Sequence, residues 1–516
     1  MSSRTNSADT APPAVVRVAS DDEHLRALGY EPKLERKLGF WSNFALGFIY
    51  LSPMVGVVSI FALGLTSSGP ASIFWILIVG GGQLLVALVF GEIVSQFPLA
   101  GGLYQWARRL WNGSYAWLMS WIYTAGITIG ITTTSLFSAD FVVSLLFGTP
   151  EEPSVTATPL QKSIIAISVL VICLLCNLAG TRTLARISRI GLFAELAGVV
   201  LLGLYLLIFQ RKNSPAVLFD TMGTVAENGL LPAFLGASLV GLYMLYGFES
   251  CGEIAEETPN PARMIPRTMA LTVLVGGASA FLAFAGYVLA APNLTEIVKG
   301  AAANPIPTIL QDTLGTFGSK VFIIVALTSF LAGVMGQQTA VSRLVYSFAR
   351  DDMFPGARTL AKVNSRTHVP VNALLAVNVV PVLLILFVLL FPDSLFRIAA
   401  FQVIAVYFSF QMVVFAALRA RSKGWKPAGP WNLGRWGLLV NIVALLYGIA
   451  AIVILSLPSG DESLAITDRW IALIGFLVVA AIGAVYMILA KPHLKSSAPE
   501  GDAVEVARIL NRVNEH

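Results

Sequence analysis

The sequence predicts an all-α polytopic membrane protein with twelve transmembrane helices. Three observations carry this expectation. First, 56% of the 516 residues are apolar and only 12% are charged, with a mean hydropathy of +0.76. A soluble domain carries about 25% charged residues, so too little polar surface exists here to cover a globule. Second, the apolar residues fall in runs of about 20, enough to cross about 30 Å of hydrocarbon at 1.5 Å per residue. Strands of a membrane β-barrel would be about ten residues long and would alternate apolar with polar. Third, Lys and Arg are divided unevenly between alternate loops. A soluble enzyme and a disordered chain are excluded on the same grounds.

Residues 1–38 are polar and rich in Ser, Ala and Pro, without the charged start, apolar core and cleavage site of a signal peptide. They read as a mobile N-terminal tail. Apolar runs follow at 40–66, 70–97, 114–147, 160–180, 188–210, 230–256, 268–291, 319–349, 369–391, 394–418, 436–457 and 468–490. Each must be a helix, because backbone groups in lipid have to be satisfied within their own segment. Both tails (Lys33, Arg36 and Lys37 among them) and alternate loops (Arg108, Arg109; Arg182, Arg186, Arg189; Arg263, Arg267; the 8–9 loop; Arg419, Arg421, Lys423, Lys426, Arg435) hold most of the 34 Lys and Arg. The opposite side holds Lys162, Arg211, Lys212, Lys299, Lys320 and Arg469. Positive residues stay inside, so both termini are expected to be cytoplasmic, in the cell (inner or plasma) membrane. The net charge of +5 is thus a matter of sidedness and no sign of nucleic acid.

The expected organisation is a cytoplasmic tail (1–38), a body of ten spans (39–420, in stretches 39–210 and 230–420), helices 11 and 12 (421–490) and a C-terminal tail (491–516). Pro305–Leu314 reads as a short helix on the outer face. Ala503–Val513 reads as a short amphipathic helix, with apolar residues at helical spacing. Cys173 and Cys176 form a C-x-x-C inside an apolar run, which reads as small buried hydrophobes. None of the four histidines lies in an apolar segment. No metal and no cofactor is expected.

Two spans carry irregular sequence at mid-membrane. The first reads Tyr50-Leu51-Ser52-Pro53-Met54-Val55-Gly56, where Pro53 removes a helix bond and Gly56 eases departure from helical geometry. The sixth reads Tyr243-Met244-Leu245-Tyr246-Gly247-Phe248-Glu249-Ser250-Cys251-Gly252-Glu253, with Gly247 and Gly252 flanking a carboxylate deep in an apolar run. A lone Pro or Gly is often a mere kink. Spans one and six, however, open two five-helix halves, and paired interruptions at equivalent places point to a substrate site between repeats.

Here the sequence resembles the amino acid–polyamine–organocation transporter superfamily. The resemblance rests on Gly247-Phe248-Glu249-Ser250 with Ala255-Glu256-Glu257-Thr258-Pro259-Asn260-Pro261 and Ile265-Pro266-Arg267. It rests also on Glu92 with Phe97-Pro98-Leu99-Ala100-Gly101-Gly102-Leu103-Tyr104-Gln105-Trp106, and on Ser342-Arg343 with Phe348-Ala349-Arg350-Asp351-Asp352 and Pro355. It covers about 38–490. The Ser-Pro-Met-Val-Gly break is most similar to the amino acid/choline branch, which includes γ-aminobutyrate and choline permeases. The resemblance implies a five-plus-five inverted repeat (LeuT-like) with broken helices 1 and 6, and secondary transport by alternating access.

It also implies roles for individual residues. Ser52, Pro53, Met54, Val55 and Gly56 would offer N–H groups and a helix end to an anionic group. Carbonyls around Tyr246 and Gly247 would accept from an ammonium, with Tyr243 as an aromatic lid and Phe248 beside it. An aromatic face also suits an organic cation. Glu249 is a candidate proton carrier or cation partner, or else a structural acceptor pinning the broken helix. Glu195 lies where some proton-coupled relatives carry a lysine. It reads either as a coupling group or as an ion-pair partner of Arg343. Gln337 and Gln338 match a gate position, as cavity lining or as helix–helix glue. Glu92, Arg108 and Arg109, and Glu256 and Glu257 with Arg263 and Arg267 nearby, read as gate salt bridges. Asp140 reads as solvated.

The expected activity is import of an amino acid or related amine, coupled to protons through Glu249 and Glu195. The alternatives are a choline- or polyamine-type cation carrier, a sodium-coupled symporter and an exchanger. A channel or membrane sensor is remote, since no filter-like repeat is visible. An enzyme is not supported: the sequence has no P-loop, no H-E-x-x-H and no G-x-S-x-G. The partners are then a small amino acid or amine, a proton or Na⁺, and the lipid bilayer, with no nucleic acid. Oligomeric state is unreadable.

Overall fold

The computed structural model describes residues 21–224, 229–301, 304–457 and 466–514, which contain helices and no strand. Among them are ten helices long and apolar enough to cross a membrane. The first of the ten, Phe40–Gln96, is far longer than one crossing needs. It comprises α2 (Phe40–Leu51), α3 (Pro53–Ser68) and α4 (Phe74–Gln96), with a 3-10 turn over Gly69–Ile73, and it is preceded by a short α1 (Asp21–Ala27). A connecting helix α5 (Gly102–Leu110) leads to α6 (Gly113–Phe147), α7 (Pro159–Leu178), α8 (Thr181–Leu196) and α9 (Leu202–Phe209), the last two joined by a π-helical turn over Ala197–Leu201.

The second half begins with three short helices, α10 (Leu230–Gly236), α11 (Leu239–Leu242) and α12 (Ser250–Glu253). Backbone between α11 and α12 is not helical. Then come α13 (Pro261–Ala290), α14 (Leu294–Val298), α15 (Ile306–Arg350), α16 (Ala357–Leu360), α17 (Val371–Val377), α18 (Val379–Leu390) and α19 (Leu395–Ser422). The chain closes with α20 (Gly437–Ser456), α21 (Ile466–Arg469), α22 (Ile471–Ala490) and α23 (Ala503–Asn514). The stretch Pro305–Leu314, helical from Ile306, turns into the long part of α15 at Gly315, whose φ of 67° suits glycine.

The core is apolar and packs helix on helix: α13 lies along α4, α2 and α9, α15 along α6, α7 and α8, and α19 along α6. Helix α20 covers α4 and α19, while α22 covers α19 and α6. Both expose rows of Leu, Ile and Val on the side away from the body, as a lipid-facing surface requires. Close packing needs small residues at the crossings. A Cβ at Gly82 of α4 would fall 2.2 Å from the Tyr447 ring of α20.

Several expectations are corrected here. Residues 1–20 lie outside the described residues, but 21–38 do not form a free tail. Leu25, Leu28, Tyr30, Leu34 and Leu38 are all buried. Tyr30 donates to Asp351 (3.2 Å) and Gln105 (3.0 Å), and Leu38 N–H to Glu257 O (2.9 Å). The C-terminal stretch packs on the same face. Arg108 donates to the carbonyls of Pro499 and Ala498, and Arg109 pairs with Asp502. Asp140 is not simply solvated, since it accepts from Ala157 N–H (2.8 Å) and pairs with Lys162 (3.1 Å).

The expected gate pairs form with different partners. Glu256 bonds Arg350 (3.0 Å) and Glu257 bonds Arg343 (2.9 Å), whereas Arg263 and Arg267 line a separate surface cavity with Pro430 and Trp431. Glu92 pairs with Arg421 and accepts from Leu433 N–H, leaving Arg108 and Arg109 to the C-terminal tail. Long-range folding, rather than proximity in sequence, chose these partners. The Arg343–Glu257 pair is 1% exposed on each side, and removing one member of such a pair costs about 3–5 kcal/mol. Arg343→Ala should therefore lower the detergent melting temperature markedly, and adding Glu257→Ala should recover part of the loss. Equal melting temperatures for Arg343→Ala and the parent chain would contradict the pairing.

Candidate functional site

The break in the first span is built around Ser52. Its backbone is left-handed (φ 45°, ψ 78°), which ends α2 and starts α3 in one step. Ser52 N–H closes α2 on Phe48 O (2.7 Å), and Pro53 occupies the first position of α3, where no N–H is needed. The hydroxyl of Ser52 accepts from Val55 N–H (3.4 Å) and donates to Glu195 Oε1 (2.7 Å); the same oxygen accepts from Met54 N–H (3.1 Å). Glu195 on α8 therefore supplies the acceptor at the α3 N-terminus. It is fully buried, and its Oε2 has no hydrogen-bond partner among the described residues. The alternative pairing of Glu195 with Arg343 does not form.

The break in the sixth span is built around Gly247 (φ 111°), whose N–H donates to Glu249 Oε2 (2.8 Å) and whose carbonyl accepts from Ser250 Oγ (2.6 Å). Glu249 Oε1 accepts from Tyr123 OH on α6 (2.8 Å). The carboxylate thus pins the broken backbone. The Gly247 carbonyl, expected to meet an ammonium, is already engaged. No backbone N–H of the described residues donates to the neighbouring Tyr246 carbonyl. The two breaks touch: a Cβ at Gly247 would lie 2.7 Å from Leu51 N, and one at Gly56 2.7 Å from Met244 Cγ. Only glycine permits that approach at either place.

Between the breaks lies a tight cavity with room for about 10 Å³, about the space of a single water, so the two breaks are closed on each other in this conformation. The first break contributes Tyr50, Leu51, Ser52, Val55 and Gly56; the sixth span contributes Tyr243 and Tyr246. Thr134 of α6 and Gly333 and Gln337 of α15 complete it. The Tyr246 ring stands edge-on to those of both Tyr50 and Tyr243, at 6.3 and 6.2 Å, and its hydroxyl bonds Gln402. Gln337 donates to Thr134 Oγ1 (3.3 Å) and leaves its own Oε1 unpaired and buried. No acidic side chain lines this cavity.

The structure thus separates the expected site residues into groups. Ser52, Val55, Gly56, Tyr243, Tyr246 and Gln337 share the cavity. Pro53 and Met54 shape the first break without lining it. Gly247 and Glu249 stand behind the second. Phe248 points into an aromatic cluster with Phe90 (6.1 Å) and Phe410 (5.6 Å). Gln338 faces away, bonding Asn378 (2.6 Å) and Asn177 (3.1 Å), so it ties α15 to α7 and α18. Thr134, Gly333, Tyr123 and Gln402 were not legible as site residues: polar or small residues inside apolar helices carry no motif.

Comparison with known proteins places the chain in a family. Residues 38–487 match the amino acid permease family. The chain is 27% identical over 480 residues to the amino-acid permease BAT1 homolog of Oryza sativa subsp. japonica, covering 84% of this chain and 87% of that protein. It is 26% identical over 470 residues to amino-acid permease BAT1 of Arabidopsis thaliana, covering 85% and 89%. It is 25% identical over 487 residues to a putative polyamine transporter of Candida albicans, covering 89% and 85%. The family match and the ten membrane-crossing helices together define an integral membrane transporter, not an enzyme. The chain belongs to the amino acid permease family.

One substitution tests the contact between the breaks. Gly247→Ala must displace Leu51 or forfeit the left-handed backbone. It should reduce substrate uptake in vesicles strongly, whereas Gly277→Ala, whose Cβ has open space to 3.9 Å, should transport normally. Equal uptake by the two variants would contradict the constraint.

Proposed function

We propose that this protein imports a small zwitterionic amino acid or a closely related amine by alternating access, driven by protons. The observation that carries the reading is the cavity where two helix breaks meet, small, aromatic on one side, with a free amide oxygen at Gln337. An ammonium has Gln337 Oε1 and the Tyr246 carbonyl as acceptors; a carboxylate has the hydroxyls that line the cavity, because the N–H groups expected of Met54, Val55 and Gly56 are already taken by Glu195 and Ser52. The lack of a lining acid favours a neutral zwitterion over a free cation.

The chain crosses the membrane twelve times in this proposal. Residues 40–68 and 74–96 count as two crossings, and 230–257 as one broken crossing. Spans 1–5 and 6–10 form the two inverted halves, with α20 and α22 outside them. Both termini lie in the cytoplasm of the cell that carries the protein in its inner or plasma membrane, as the Lys and Arg distribution supports. The Ser-Pro-Met-Val-Gly break supports placement in the amino acid/choline branch. Glu195 and Glu249 are the coupling groups. Each is fully buried without a cationic partner among the described residues and holds one of the two breaks, so adding or removing a proton there changes the site directly. A second reading, a polyamine-like cation, is favoured by the three tyrosine rings at the cavity and by the similarity to the Candida albicans protein.

Uptake into proteoliposomes separates the readings. The panel is labelled amino acids, γ-aminobutyrate, choline and putrescine, under an inward proton gradient, a sodium gradient or neither. Proton-driven accumulation of a zwitterion is expected, and Glu195→Gln should lose it while retaining counterflow exchange. Accumulation driven by sodium, or of putrescine by membrane potential alone, would overturn the proposal.

A further inference from the structure

Four carboxyl groups follow one another down the sixth span: Glu249, Glu253, Glu256 and Glu257, each no more than 1% exposed. Three are engaged. Glu249 accepts from Tyr123 and Gly247, Glu256 bonds Arg350, and Glu257 bonds Arg343. Glu253 differs. Neither of its oxygens reaches hydrogen-bond geometry with any described residue. An isolated buried carboxylate is costly, so an acid placed there without a partner is a strong hint of use.

Its position is specific. Glu253 N–H bonds Glu249 O (3.3 Å), so the two side chains lie one helical turn apart, the spacing at which neighbours meet on one face. On its other side stands the first turn of α5. Leu103 N–H is its polar neighbour there, a Cβ at Gly102 would come 3.0 Å from Glu253 Oε1, and Gly101 N–H bonds Glu253 O (3.2 Å). Tyr50 of α2 and Tyr123 of α6 are the other titratable groups near it. The charged side chains of α15 in this layer, Arg343 and Arg350, are committed to Glu257 and Glu256. Glu253 thus stands between the carboxyl at the second break and the ion-pair layer on the face that carries both chain ends, with α5 as its cover.

We infer that Glu253 is a proton-accepting site between Glu249 and the face that carries both chain ends, opened when α5 moves away from α12. The proton on Glu249 passes to the Glu253 carboxylate, so one acid and one carboxylate exist before and after the step. Glu253 then gives that proton to water on the terminal side. This deepens the proton-coupled reading and rests on it.

The test uses the full-length protein in proteoliposomes with labelled γ-aminobutyrate, or the best-accumulated member of the panel above if that differs. Glu253→Gln keeps size and hydrogen bonding but cannot take up a proton. It should accumulate substrate no further than without a gradient, yet catalyse counterflow at the parent rate. Glu253→Asp, which keeps the acid, should restore part of the gradient-driven uptake. Full gradient-driven accumulation by Glu253→Gln overturns the inference, and so does loss of counterflow in both variants, which would assign Glu253 to packing. A parent protein that ignores the proton gradient fails the proton-coupled reading itself, and that failure is seen before any variant is made.

Discussion

The site depends on how broken backbone is kept satisfied where the surrounding lipid offers no hydrogen bonds. At Ser52 the chain leaves one helix and begins another, and the exposed start of α3 would be an orphaned set of donors. Glu195 resolves this from a different helix by accepting from both the Ser52 hydroxyl and Met54 N–H. Glu249 plays the matching part at Gly247. Two carboxyls from two different segments therefore brace the irregular backbone that faces the central cavity among the described residues. Because a carboxyl can also carry a proton, the same groups that fix the shape can change it.

Below the cavity the structure is closed by ion pairs rather than by bulk. Arg343 and Arg350 on α15 grip Glu257 and Glu256 after the second break. Asp351 gathers Tyr30, Tyr104 and Gln105. These contacts join the N-terminal stretch, α5 and the end of α15, elements that belong to different halves of the chain. Each pair is nearly dry, so its strength depends on keeping both members together. Burial outside the membrane acts on His24 in the same layer, holding its pKa below the ordinary histidine value, mainly by desolvation.

Much of this was legible in the sequence, for reasons that can be named. Length and hydropathy gave the helices, since a crossing needs about 20 apolar residues. Pro53 with Gly56, and Gly247 with Glu249, marked the breaks, because those residues have backbone consequences wherever they occur. Partners were not legible. Glu256 and Glu257 sit a few residues from Arg263 and Arg267 yet bind Arg350 and Arg343, about ninety residues away. Gln337 and Gln338 are adjacent and identical in type, yet one faces the cavity and the other a neighbouring helix, a difference set by the helical rotation of about 100° per residue. Tyr30 and Leu38 were hidden in a stretch whose polar composition suggested a free tail, though their burial shows it bound.

The central claim is that the substrate sits where the two breaks meet. Substrate protection of an introduced thiol tests it most directly. The three native cysteines are replaced by Ala, and V55C and F248C are made separately in that background. Val55 lines the cavity, while Phe248 lies in the aromatic cluster behind it. The transported compound is expected to slow alkylation of V55C at concentrations that saturate uptake and to leave F248C unaffected. Unchanged alkylation of V55C in a variant that still transports would contradict it.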